Sequence, residues 1–285
     1  MVSGFGSVLC VFIASLLFST GGLFIKLVPW SALAINGARN LIGAAVIGIY
    51  LIATRHKVRF NRRILIGALS MMGVTTLFAI SNKLTTAANA IVLQFTAPVF
   101  VILFMAMIYH SRPTRPDLIT CFAVLTGVVL FFIDGIQAGN LLGNITAILS
   151  GICYAGVFMM NTGDSTDPIS SCFIGQLASG ILFTPLCFGE TDFSAPVISA
   201  VLALGVLQVG GAYVLFSIGI RGTPAVTASL ISGLEPILNP LLVAVFYHET
   251  VSALSIVGSV IVVCSIIAYN VWMARKKPAA DPSAA

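Results

Sequence analysis

Apolar runs of roughly twenty residues recur along this 285-residue chain from Phe5 to Met273, joined by links too short to form a domain of their own. Twenty residues at 1.5 Å rise each is what an α-helix needs to cross a bilayer. The pattern predicts ten spans, at 5–27, 31–53, 64–82, 86–109, 117–134, 141–161, 168–188, 196–219, 224–247 and 252–273. The chain is 58% hydrophobic and 8% charged, with mean hydropathy +1.07, whereas a soluble domain carries about 25% charged residues. Lipid must therefore be the main solvent, and the fold class is an all-α membrane protein. The first apolar run lacks the positive flank of a signal peptide and reads as the first helix. Residues 275–285 read as a disordered tail.

Inside the apolar runs the chain repeats itself. Thr85-Thr86-Ala87 begins a stretch that runs through Pro98 to Tyr109-His110, and Thr223-Pro224-Ala225 begins one that runs through Pro236 to Tyr247-His248, 138 positions later. Ala90/Ala228, Leu103/Leu241 and Ala106/Ala244 keep that register, and Gly6/Gly143 and Arg39/Gln176 agree more weakly at 137. The expected units are 1–136 and 137–274. Five spans in each is an odd number, so the second unit enters from the opposite side and the repeats are inverted. A proline in an apolar helix removes a rung of the hydrogen-bond ladder. Matched breaks at Pro98 and Pro236, with Pro240 one turn on, point to a solute site between the halves and to hinges beside it.

The net charge of +5 follows topology rather than an anionic partner. Placing the 54–63 loop in the cytoplasm puts Arg55, Lys57, Arg59, Arg62, Arg63, Arg112, Arg115, Arg221, Arg275, Lys276 and Lys277 on that side. Both termini are then cytoplasmic. Lys26 and Lys83 fall opposite, with Glu190, Asp192 and Glu249. The six cysteines lie in apolar runs without a CxxC or Cys/His cluster, so they read as packing residues and neither a disulfide nor a metal is expected. HExxH, GxSxG and P-loop patterns are missing, and no histidine is placed for buried acid–base work, so an enzyme is not expected.

Glu235 is the sharpest candidate. An ionised carboxylate at mid-membrane costs at least ~2.5–3.5 kcal/mol, so it needs a cavity or a partner. A contact to a substrate amine, a proton site and a structural clasp to Arg39 or a serine all stay open. Arg39, midway along the second span, fits a substrate carboxylate, helix carbonyls or Glu235. Gln94, Ser19, Gln176, Gln208, Tyr213, Ser232 and Asn239, with Thr20 and Asn161, are further polar groups inside apolar spans, each able to serve as an interhelical hydrogen bond. Together they outline a modestly polar cavity, with Phe78, Phe95, Tyr154 and Phe158 as apolar walls. Gly205, Gly210, Gly211, Ser229 and Gly233 mark close helix contacts.

Leu16-Leu17-Phe18-Ser19-Thr20-Gly21-Gly22, Arg39 and Gln94-Phe95-Thr96-Ala97-Pro98-Val99-Phe100 in the first half, with Leu234-Glu235-Pro236, Tyr247-His248-Glu249-Thr250 and Ile256-Val257-Gly258 in the second, resemble the drug/metabolite transporter superfamily, specifically its EamA-type ten-helix exporters. The first half departs at its end, where His110-Ser111-Arg112 replaces the usual Gly-Glu. Within the family the chain is most similar to bacterial inner-membrane exporters of aromatic and other neutral amino acids. The resemblance implies ten helices, cytoplasmic termini and a central cavity walled by helices 1–4 and 6–9, with helices 5 and 10 peripheral. The expected function is secondary export of small metabolites, amino acids first, by alternating access. The implied partners are a small-molecule substrate and the lipid bilayer, without nucleic acid, metal or cofactor, and a monomer suffices. A multidrug or nucleotide-sugar carrier of the same architecture, a channel, and a receptor or scaffold are the rival readings.

Overall fold

The computed structural model describes residues 4–108, 110, 112–138, 141–160, 167–219, 223, 231, 233–248 and 250–276. Helices make up every regular element among them. In chain order these are α1 (Gly4–Ser19), α2 (Gly21–Leu27), α3 (Ala32–Ala53), α4 (Arg62–Leu84), α5 (Ala87–Gln94), α6 (Ala97–Ile108), α7 (Arg115–Ala138), α8 (Leu141–Met160) and α9 (Pro168–Phe183). A 3₁₀ turn at Thr184–Gly189 follows, then α10 (Ala195–Ala203), a π-helical stretch at Leu204–Gly211, α11 (Ala212–Gly219), α12 (Glu235–Tyr247) and α13 (Ala253–Lys276). Seven helical stretches are long and apolar enough to cross a bilayer: Phe5–Leu27, Ala32–Ala53, Arg62–Leu84, Ala87–Met107, Leu141–Met160, Pro168–Gly189 and Ala195–Gly219. Glu235–Tyr247 and Ala253–Tyr269 are shorter apolar helices. Each falls on an expected span. Of the expected ninth span, residues 224–230 and 232 lie outside the described residues, as does Asn161.

Local chemistry sets the ends. Ser31, Asn61, Thr86 and Asp167 accept from the backbone N–H three residues on, at 3.4, 2.8, 3.1 and 3.4 Å, which satisfies one of the free donors opening α3, α4, α5 and α9. The helix breaks are equally local. Ser19 Oγ donates to Ser15 O and Thr20 Oγ1 to Leu17 O, both at 2.7 Å, and such back-bonding bends a helix where α1 gives way to α2. At Phe95–Thr96 the helix turns off before Pro98, and Thr96 Oγ1 donates to Leu93 O at 2.6 Å.

The repeat reappears in the backbone. α6 opens at Ala97 and α12 at Glu235; α7 spans Arg115–Ala138 and α13 Ala253–Lys276; all keep the 138-residue offset. His110 and His248, the corresponding residues past α6 and α12, are both left-handed, at φ 50 and φ 55. Packing crosses between the halves: α3 lies on α9, α4 on α8 and α9, α1 on α11, α7 on α13, and α12 against α1, α2 and α5. The α3–α9 crossing is close because Gly37 and Gly180 face backbone. A Cβ on Gly37 would lie 2.3 Å from Thr184 N, and one on Gly180 2.7 Å from Leu41 Cα.

Two sets of polar contacts mark opposite ends of the bundle. At one end α2 and α4 are stapled reciprocally: Lys26 Nζ donates to Thr85 O at 2.8 Å and Lys83 Nζ donates to Val28 O. Ser31 Oγ donates to Glu190 at 2.7 Å and Trp30 Nε1 to Asp192 O at 2.7 Å beside them. At the other end His56 Nε2 lies 2.7 Å from Asp167 Oδ2, and Arg59 N donates to Ser170 Oγ at 3.1 Å. Tyr269 Oη donates to Asp117 Oδ1 at 2.7 Å, tying the start of α7 to the last turns of α13. Burial raises the Asp167 pKa, but hydrogen bonds from His56 and Ser170 outweigh it and hold the carboxyl below its ordinary range. Ile35, Ile91, Leu93 and Leu204 fill the interior, while Leu69, Phe122 and Ile181 stand exposed on the flank as lipid-facing residues do.

Candidate functional site

Three helix breaks and the π-helical stretch meet in the interior. Glu235 is the first residue of α12, immediately after the turn at Gly233–Leu234, with Pro236 behind it. The carboxylate is thus placed at the positive end of a half-helix, where the helix dipole favours negative charge. It is surrounded by protein yet is only half-buried and keeps some accessible surface. Among the described residues it has no hydrogen-bond or ion-pair partner. The clasp to Arg39 does not form.

Tyr154 and Tyr213 lie within electrostatic range of that carboxylate, each in contact with a phenylalanine ring. Tyr154 on α8 meets Phe158 in a tilted contact, 4.7 Å between ring centres and 40° between planes, and meets Phe95 edge-on at 6.4 Å. Tyr213 on α11 meets Phe18 edge-on at 4.9 Å, and Phe18 in turn touches Phe216 at 6.4 Å. Tyr154 and Tyr213, like Glu235, are enclosed by protein but retain accessible surface. Tyr213 lies within electrostatic range of Tyr154, Glu235 and Arg39, and its hydroxyl donates to Met71 Sδ at 3.3 Å. Phe95, Tyr154, Phe158, Tyr213 and Glu235 therefore share one neighbourhood. Phe18 belongs with them and was not singled out from the sequence, since one Phe among 19 carries no signal of its own.

Arg39 is placed differently. It is 1% exposed, and its Nη2 donates to Thr75 O at 2.8 Å and to Asn36 Oδ1 at 3.2 Å. Asn36 and Asn40 complete a knot with Thr75, Thr76 and Ser179, at 2.8–3.1 Å, that binds α3 to α4 and α9. The 36, 39, 40 spacing was the available signal, because i, i+3 and i+4 share one helix face. Arg39 Nε has no partner among the described residues.

The remaining candidates divide. Gln94 Nε2 donates to Ser150 Oγ at 2.7 Å, and Ser150 Oγ donates to Val74 O at 3.0 Å, an interhelical tie. Ser19 is spent on its own helix. Phe78 is buried in the hydrophobic core beside Ile35 and Ile91. Gln176 is buried on α9 near Cys172. Gln208 and Asn239 face the α1–α2 break. A Cβ on Gly21 would lie 3.1 Å from Gln208 Nε2, and one on Gly22 would lie 2.2 Å from Asn239 Oδ1. Gln208 Oε1 and both polar atoms of the Asn239 amide lack partners among the described residues. Gln208 belongs to the π-helical stretch, a backbone form often found at functional sites. The sequence showed that stretch only as Gly205 and Gly210-Gly211. Pro98 and Pro236 are each the second residue of a half-helix, and Pro240 lies inside α12. Ser232 lies outside the described residues.

The model of the EamA-like transporter family matches residues 5–133 and again residues 141–271. The chain belongs to the EamA-like transporter family. This EamA transporter is 26% identical to the uncharacterized transporter YwfM of Bacillus subtilis (strain 168), over 95% of its own length and 96% of that protein. It is 27% identical to the threonine/homoserine exporter RhtA of Salmonella typhimurium (strain SL1344), over 70% of this chain and 66% of that one. RhtA of Escherichia coli (strain K12) is 26% identical over 66% of this chain and 64% of its own. A solved crystal structure superposes with TM-score 0.63 over 96% of this chain and 100% of its own, at 20% identity, which shows a shared fold. With the apolar helices, these matches make the chain a multi-pass membrane transporter with a two-unit architecture.

Proposed function

We propose that this EamA transporter exports small amphipathic metabolites, neutral amino acids first, across the bacterial inner membrane by alternating access. The observation that carries the reading is Glu235: a carboxylate deep in the bundle, at the head of a half-helix, without a partner among the described residues, and within electrostatic range of Tyr154 and Tyr213. A partnerless intramembrane charge is retained where something passing through neutralises it. An α-ammonium group fits that role, and Tyr154, Phe158, Phe95, Tyr213 and Phe18 offer apolar and aromatic faces to a side chain. RhtA, matched at 26–27% identity, carries the name of an amino-acid exporter and supports this class.

In this reading the two units, 1–136 and 137–274, are inverted repeats of five helices that rock about the mid-membrane site, with Pro98, Pro236 and Pro240 absorbing the bend. Both termini and the 54–63 loop face the cytoplasm. The test is counterflow of labelled neutral amino acids by the purified protein in liposomes, run with and without a pH gradient. Saturable counterflow is expected. Conduction without saturation or counterflow overturns the reading in favour of a channel.

A further inference from the structure

The segment from Thr54 to Arg63 carries Arg55, Lys57, Arg59, Arg62 and Arg63 and no acidic residue. Among the described residues none of these five has a carboxylate within ion-pair distance. Arg62 and Arg63 open α4, whose first turn is free of acidic residues, so they stand at the end of the helix dipole that repels cations. Arg55 follows the last turn of α3 at φ 53, a left-handed conformation that glycine usually fills. His56 N donates to Leu51 O at 2.9 Å, closing the helix end around it. Only Arg62 and Arg63 lie against a dipole, since Arg55 follows the C-terminus of α3, where the dipole favours a cation; together the five exposed cations form one basic rim, without a carboxylate among the described residues to neutralise it, that favours an anion from outside the chain.

Below these cations lies an apolar groove of about 340 Å³. Gly48, Leu51, Ile52, Val58 and Phe173 form its floor and walls, and Arg55 and His56 stand at its rim. His56 is held by Asp167 at 2.7 Å, so its ring is fixed in place. Gly48 keeps the groove open toward α9, since a Cβ there would already lie 3.3 Å from Phe173 Cε2. Ile52 on its wall is 80% exposed, as a residue at the lipid boundary is.

We propose that this groove binds one anionic glycerophospholipid of the surrounding leaflet, its acyl chain along Gly48 and Phe173 and its phosphate on Arg55 with the neighbouring cations. Apolar walls under a basic rim match a molecule with a hydrocarbon tail and an anionic head, and basic pockets at the membrane surface select such lipids. The inference stands on the chain being embedded in lipid and not on the transport reading.

The experiment uses the purified full chain in an uncharged detergent, titrated with phosphatidylglycerol, with phosphatidylcholine of the same acyl chains, and with glycerol 1-phosphate. Bound lipid is read by native mass spectrometry and the unfolding midpoint by thermal melting. Phosphatidylglycerol should bind about fivefold more tightly than phosphatidylcholine, the margin that roughly 1 kcal/mol for one cation beside an anionic lipid converts to. Arg55→Gln should erase that margin, and Gly48→Leu, which fills the groove, should weaken both lipids while leaving counterflow intact. Equal binding of the two lipids by the unaltered protein overturns the proposal. So do an unchanged margin in Arg55→Gln and a full thermal shift with glycerol 1-phosphate alone, which would mean that phosphate is read without a tail.

Discussion

Replacing Glu235 by glutamine separates the two roles a buried carboxylate can have, because they move stability and transport in opposite ways. The substitution keeps the shape and removes the charge. Among the described residues no bond to the protein is lost, since Glu235 makes none. What is gained is relief of an intramembrane carboxyl, at most the roughly 2.5–3.5 kcal/mol of the ionised form on insertion scales, because a partnerless buried carboxyl takes up a proton rather than bear the whole cost. Loss of the favourable dipole interaction at the head of α12 offsets roughly 0.3–1 kcal/mol of that. The unfolding midpoint in detergent should therefore hold or rise. Transport should suffer: a charge-assisted hydrogen bond to a substrate ammonium is worth about 1.5–3 kcal/mol, or roughly a 10- to 150-fold loss in apparent affinity for an amino acid.

Arg39→Met is the contrasting variant. It strips Thr75 O and Asn36 Oδ1 of a charged donor inside a buried knot, and although Asn36 Oδ1 keeps Asn40 Nδ2, a hydrogen bond to a charged group is worth about 1.5–3 kcal/mol. Its midpoint should fall clearly. Thermal melting and counterflow measured on the same two preparations decide the matter. If Glu235→Gln melts as low as Arg39→Met and still transports at the unaltered rate, the carboxylate is a structural clasp and the reasoning fails.

Gly37→Ala should destabilise by about 1–3 kcal/mol, because its Cβ would meet the Thr184 and Phe183 backbone at 2.3–2.4 Å and α3 and α9 must part; Gly189→Ala, with nothing within 4 Å, is the neutral control in the same melting assay. Asp167→Asn tests the His56–Asp167 contact by pH. The Asp167 carboxyl is depressed on folding, so its stabilisation is present above the ordinary value near 3.9 and fades as pH falls through the lower folded value. The unaltered protein and the variant should differ in midpoint at neutral pH and converge in acid; a constant gap would refute the linkage. Single cysteines at Lys57 and Arg115, in a protein lacking its six native cysteines, should label from the same side of the bilayer; opposite labelling would break the topology.

The helices were legible because their cause is repetitive: twenty apolar residues, then a short polar link. The paired breaks were legible for the same reason, since a proline leaves the same mark in both halves. The division of labour among polar residues was not. Gln94 and Asn239 look alike in the sequence, each an amide one turn from a proline or beside one. Gln94 finds Ser150 across the helix interface, and Asn239 finds only the glycine surface of the α1–α2 break. Which partner waits across an interface depends on crossing angle and rotation, and neither is written in a single helix's periodicity. The π-helical stretch at Leu204–Gly211 was hidden too, because an extra residue in one turn changes no composition and shows only as glycines against Ile42 and Val46.

The repeat itself raises the sharper question of why only one half carries the charge. Ala97 and Glu235 are the same position, 138 apart, each the first residue of a half-helix followed by proline. Their surroundings differ: Ala97 is 1% exposed and packed, whereas Glu235 keeps accessible surface. A carboxylate at Ala97 would bear the membrane cost of ~2.5–3.5 kcal/mol together with about 1–3 kcal/mol of overpacking, and would have no room to meet a solute. The two half-helices therefore share a backbone and differ in chemistry: one opens on a carboxylate with accessible surface, the other on a small apolar residue packed in the interior. The exchange variant, Ala97→Glu with Glu235→Ala, puts this to the test. It should melt lower than Glu235→Ala alone and recover no counterflow; recovery would show that the two positions are interchangeable and that the asymmetry of the site has another source.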